Sequence, residues 1–167
     1  MKESPSKKIV RTAMLSAILV LGKLALSFIP NVEVVTACVL IFSFVFGFET
    51  LFATLVFCLL DMIIYSFSLD VALSYFTYWP LLALSGIIAK RLGAKNAYVY
   101  AILGVIGSLM FGIITSAYFS LVFKMPFLAH FLAGIPFYAI QMVSSLAFIL
   151  IAFSPLCKIL SKFKKTE

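Results

Sequence analysis

The sequence predicts an all-α membrane protein, a six transmembrane helix bundle with both termini cytoplasmic. Two observations predict it. The first is composition: 64% of the 167 residues are hydrophobic and 11% are charged, whereas a soluble domain carries about 25% charged and 45–50% apolar residues. So much apolar surface cannot be hidden in a chain of this length, and lipid must be the solvent. The second is the placement of positive charge. Eleven of the thirteen Lys and Arg fall in three short clusters: Lys2, Lys7, Lys8 and Arg11; Lys90, Arg91 and Lys95; and Lys158, Lys162, Lys164 and Lys165. Basic residues flank the cytoplasmic ends of spans, so all three clusters belong on one side, and an inverted chain would carry all eleven outside. The net charge of +7 sits in caps beside apolar runs and forms no extended basic face, which argues against a nucleic-acid partner and for anchoring to an anionic lipid bilayer.

The elements follow in order. Residues 1–8 are polar and expected to be a disordered cytoplasmic tail. A membrane domain spans 9–157, and 158–167 form a basic cytoplasmic tail. The first span runs from about Ile9 to Phe28, and Pro30 ends it. The second, about Val34 to Gly47, is short for a bilayer that needs about 20 residues. The third runs from about Thr50 to Phe67, the fourth from Val71 to Ile88, the fifth from Ala97 to Phe123 and the sixth from Phe127 to Pro155. No strand-period alternation runs along the chain, which excludes a β-barrel. Lys23 interrupts the first apolar run and no small-residue cleavage site follows it, so that run is not read as a cleaved signal peptide.

Recognisable catalytic chemistry is missing. One histidine, His130, serves the whole chain, and there is no H-E-x-x-H, P-loop or G-x-S-x-G motif. Cys38, Cys58 and Cys157 are too few and too scattered for a disulfide framework or a metal site. Polar groups at membrane depth are costly and therefore mark candidate sites. Asn31, Glu33 and Thr36 lie within six residues around the first outer loop, where they either ring a ligand or make an ordinary turn. Asp61 lies about 16 Å along its span from Thr50, and Lys23 about 21 Å along its span from Ile9, so the two are candidates for a buried ion pair. Tyr78 and Trp79 are either stacking walls for a flat ring or residues of the interfacial aromatic belt. His130, Gly134, Tyr138 and Gln141 share one helical stripe by their spacing; Ser108, Thr115 and Phe119 make a weaker stripe on the fifth span. Most of these groups lie in or reach the outer half, as a helical cup would require. Ala13 and Ala17, four residues apart, let another helix approach closely.

Taken together, the six spans, the basic start, Ala13-x-x-x-Ala17, the block Ile29-Pro30-Asn31-Val32-Glu33-Val34-Val35-Thr36, the run Gly47 to Tyr65, and Tyr78-Trp79-Pro80-Leu81-Leu82-Ala83-Leu84 resemble the substrate-binding (S) components of energy-coupling factor transporters. The resemblance implies a non-enzymatic, multi-pass protein of the bacterial plasma membrane. Such a protein captures a vitamin or related micronutrient at the outer face. It implies as partners a membrane coupling protein and two cytoplasmic ATPase subunits, with ATP hydrolysed by those partners and no cofactor or metal in this chain. It assigns Ala13 and Ala17 to partner docking, and Asn31, Glu33 and Thr36 to the lid or site. The absence of a basic cluster on the outer side argues against a polyanionic ligand. Two other classes stay open: a stand-alone secondary transporter or channel using Asp61 and Lys23, and a small intramembrane enzyme using His130 or Asp61. The topology has a direct check. In intact cells a Lys124→Cys variant is expected to react with an impermeant thiol reagent and a Lys95→Cys variant is not; the reverse pattern would sink the assignment.

Overall fold

The computed structural model describes residues 5–29, 32, 34–66 and 68–166, with side chains described through Lys164. Among them are six helices and no strand: α1 (Pro5–Ala25), α2 (Val35–Phe46), α3 (Glu49–Tyr65), α4 (Leu69–Arg91), α5 (Ala97–Phe123) and α6 (Phe127–Thr166). Three of them, α4, α5 and α6, are long and apolar enough to cross a membrane, and α2 is a shorter apolar helix. The α2–α3 and α4–α5 turns lie at the end of the bundle that carries the described chain ends, hereafter the terminal end. Gly47 (φ 66°) and Gly93 (φ 91°) make these turns in backbone conformations that glycine adopts without strain. The α3–α4 and α5–α6 turns lie at the opposite, distal end.

The short second apolar run forms the core. Ten of the twelve residues of α2 are buried, and the helix packs against all five others. Its length, about 18 Å at 1.5 Å per residue, is less than a bilayer's hydrocarbon core of about 30 Å. Its surroundings are therefore protein on every side that the other helices cover. Gly86 of α4 permits one of the closest approaches: a Cβ there would come within 2.8 Å of Ser43 Cβ on α2. Tyr100 and Phe153 add aromatic cover around Phe44, with ring centroids at 5.5 and 5.2 Å.

Helices α1 and α3 run parallel and are joined at three levels. Arg11 donates from Nε to Glu49 Oε2 at 2.5 Å and from Nη2 to Glu49 Oε1 at 2.6 Å. Ser16 Oγ donates to the Ala53 carbonyl at 3.0 Å. Lys23 Nζ donates to Asp61 Oδ2, and also to Tyr75 Oη of α4 at 3.1 Å. The Lys23 ammonium lies over the rings of Tyr65 and Tyr75, at 4.6 and 4.8 Å from their centroids. Glu49 also stands in the first turn of α3, where the helix dipole favours a carboxylate. Arg11, counted by charge among the cytoplasmic anchors, is completely buried.

Most boundaries shift by a few residues from the sequence reading, and two shift furthest. Helix α1 starts at Pro5, inside the tail expected to be disordered, because proline fits the first helical turn without losing a bond. At the other end, α6 continues through Pro155 to Thr166, so the basic tail extends the last helix. Cys157 and Leu160 keep the apolar stripe on the core, and Lys164 Nζ donates to the Val45 carbonyl of α2 at 3.0 Å.

Arg11→Ala leaves the Glu49 carboxylate largely buried and uncompensated, and is expected to cost about 3–5 kcal/mol. An Arg11→Met, Glu49→Leu double variant should recover most of that loss. Thermal unfolding of the detergent-solubilised protein reads both, and a double variant as unstable as the single one would show that the ion pair is not the cause.

Candidate functional site at the distal end

Near their distal ends α4, α5 and α6 enclose a cavity of about 340 Å³, within the range of small-molecule sites. Its one carboxylate comes from the first turn of α4. Asp70 is only 7% exposed and accepts a hydrogen bond from Ser68 Oγ at 2.5 Å. Ser74, one turn on, also lines the cavity, with its hydroxyl donating to the Asp70 carbonyl at 2.7 Å. Helix α5 supplies Phe111 and Thr115, and α6 supplies His130, Gly134, Phe137 and Tyr138.

The α5–α6 seam holds these groups in place. Ser116 Oγ lies 2.9 Å from His130 Nδ1 and 3.5 Å from Tyr138 Oη, so one buried hydroxyl links the imidazole to the phenol. The His130 ring stacks on Phe119 with centroids 4.1 Å apart. The Tyr138 ring rests on bare backbone: a Cβ at Gly112 would meet it at 2.6 Å. Deeper in the seam, Ser108 faces Ser145 with hydroxyl oxygens 3.4 Å apart, and Ile149 packs on Gly104.

Among the described residues the lining therefore offers a carboxylate, an imidazole, a phenol, hydroxyls and two phenyl faces, with no Lys or Arg. That set suits a small neutral or cationic ligand with hydrogen-bond donors, and a polyanion would be repelled by Asp70 in a cavity with no cation to offset it. The chain matches no protein-family model, no curated protein and no solved structure.

Of the residues singled out by sequence, the cavity contains His130 and Tyr138, along with Gly134 and Thr115 from the same stripes. Gln141 is buried farther along the α6 stripe and is not among the residues lining the cavity. Thr36 is buried in the first turn of α2, away from that lining. Tyr78 borders a separate apolar cavity of about 120 Å³ between α4 and α5. Trp79 is fully buried, edge-on to Phe57 and Tyr75 at 5.5 and 6.0 Å, and so packs in the core instead of walling the distal cavity. Asn31 and Glu33 lie outside the described residues. Lys23 and Asp61 tie α1, α3 and α4 together, whereas Ala13 and Ala17 are exposed on α1. Asp70, which none of the sequence patterns above singles out, also lines the cavity. Its position in the first turn of a span was the available signal.

Gly112→Leu should force the Tyr138 ring out of place and break its link to Ser116, with an overpacking cost of about 1–3 kcal/mol. Ile113→Leu, at the neighbouring exposed position, should stay within about 0.5 kcal/mol of wild type. Paired unfolding curves check both, and equal stability of the two variants would refute the close packing.

Proposed function

We propose that this chain is the substrate-capture (S) component of an energy-coupling factor type transporter, binding a neutral or cationic micronutrient in the distal cavity. In this reading the distal end faces outward, all six helices form the membrane bundle and both termini are cytoplasmic in a bacterial plasma membrane. The chain performs no catalysis itself; a membrane coupling protein and two ATPase subunits supply the energy. The observation that carries the reading is the division of labour between the two ends. The ligand-sized polar cavity lies at the end opposite the three basic clusters, where a ligand arriving from outside would enter. The exposure of Ala13 and Ala17 supports the docking role: α1 packs chiefly on α2 and α3 and leaves these small residues exposed for a partner helix.

A stand-alone ion-coupled transporter is the second reading, favoured by the Lys23–Asp61 pair. That pair is accounted for by helix docking, and neither residue lines the distal cavity.

The test is mass spectrometry of small molecules that co-purify with the intact protein. A micronutrient-like compound is expected on the wild type, with affinity about 10–100-fold weaker in Asp70→Asn and in His130→Ala, the cost of one or two lost polar contacts. The Ala13→Trp, Ala17→Trp variant should keep the ligand and lose ATP-driven uptake. Uptake by the isolated chain, abolished by Asp61→Asn, would instead establish the second reading.

A further inference from the structure

A second and larger cavity, about 900 Å³, opens at the terminal end where α1, the α2–α3 turn, α4 and the last turns of α6 meet. Four cations line it, Lys8, Lys90, Arg91 and Lys164, against one carboxylate, Glu49. That carboxylate is already held by both ends of the Arg11 guanidinium fork. Asp61 and Asp70, the other acidic side chains among the described residues, are engaged by Lys23 and Ser68. Among the described residues, positive charge therefore converges here without a matching counter-charge.

Three of these cations are also held in place. The Arg91 guanidinium sits over the Phe48 ring at 4.8 Å, Lys90 Nζ over Phe44 at 5.2 Å, and Lys164 Nζ over Phe46 at 5.9 Å. Such contacts hold the cations beside the ring faces without neutralising them. Beneath them the wall is apolar, built from Phe46, Phe52, Val56 and Ile87. The floor does not end at the groove. Phe52 is 62% exposed, and Leu59 and Ile63 continue the exposed apolar face up α3, Ile63 at 76%. The groove thus joins a basic rim to a strip of surface suited to hydrocarbon.

We propose that this groove binds an anionic phospholipid, with its phosphate held by Lys90, Arg91 and Lys164 and one acyl chain lying along Phe52 and the exposed face of α3. A free inorganic anion would be served by the cations and would gain nothing from the apolar strip. An acidic soluble peptide would match the rim and leave the strip uncovered. A phospholipid matches both, and basic pockets between membrane helices at the cytoplasmic side recognise anionic headgroups in this way. The rim is also at the right depth: Lys90 and Arg91 follow directly on the apolar run of α4 that ends at Ile88 and Ala89. The proposal rests on the membrane placement given above and does not depend on which solute the distal cavity takes; Ala13, assigned above to docking, also lines the groove.

The full-length protein in mild detergent is titrated with short-chain phosphatidylglycerol or phosphatidylcholine and read by native mass spectrometry, with inorganic phosphate and polyglutamate as competitors. Phosphatidylglycerol is expected to bind preferentially and to resist both competitors. A Lys90→Gln, Arg91→Gln, Lys164→Gln variant should weaken it by about a hundredfold. A charge-matched Lys7→Gln, Lys95→Gln, Lys158→Gln variant, altered at exposed positions outside the groove, should bind as the wild type does. Equal loss in the two variants would reduce the effect to general surface attraction and overturn the proposal. So would equal binding of phosphatidylcholine, or displacement by phosphate or polyglutamate.

Discussion

The bundle depends on the way α1 is fastened to α3. Its two ion pairs, Arg11–Glu49 and Lys23–Asp61, each join residues 38 positions apart. Two equal separations on parallel helices mean that one register satisfies both pairs, about 18 Å apart along the axis at 1.5 Å per residue. The Ser16–Ala53 bond falls between them at a separation of 37. Slipping either helix by one residue would break both carboxylate contacts in a setting where an unpaired charge is expensive. Ion pairs of this kind specify register more reliably than they add stability. Once α1 and α3 are locked in parallel, α2 must return antiparallel to both, and α4, α5 and α6 complete its burial.

Small side chains set the other half of the molecule. Gly104, Ser108, Gly112 and Ser116 recur four residues apart on α5 and form a groove into which Ile149, Ser145, Tyr138 and His130 of α6 settle in antiparallel order. Without a hydrophobic drive between helices in lipid, close approach and buried hydrogen bonds hold such a seam. Toward its distal end the seam meets the first turn of α4, and the cavity forms there because large rings, Phe111, Phe137 and Tyr138, meet across the gap. The same seam that packs the helices thereby orients the imidazole and the phenol.

The two ends are chemically opposed. The distal cavity carries a carboxylate with neutral donors, while the terminal groove carries four cations over an apolar floor. This asymmetry follows the three basic clusters of the sequence, which the fold gathers at one end. It gives the molecule one end suited to a small uncharged or cationic solute and another suited to an anionic partner.

Several features were legible in the sequence because they are one-dimensional. Apolar runs and their breaks marked all six helices, and the limits of α5 coincide with the expected run. The stripe on α6 pointed to His130 and Tyr138 because helical periodicity alone aligns residues four apart. Lys23 and Asp61 were recognisable as partners because each lies far along its own helix, where an unpaired charge is costly. Other features depended on which helices meet. Arg11 resembled its neighbouring surface lysines until the approach of α3 brought Glu49 to it and buried the guanidinium. Tyr78 and Trp79 read as either cavity walls or interfacial-belt residues, yet the rotation of α4 turned Trp79 into the core beside Phe57. Asp70 gained significance only when α5 and α6 closed over it. By itself the sequence determined a helical chain of long apolar runs with its positive charge in three clusters, since composition and periodicity are local properties. The tertiary structure decided which polar groups share a cavity and which form buried pairs, since helix rotation and register are set by packing between segments far apart in the chain.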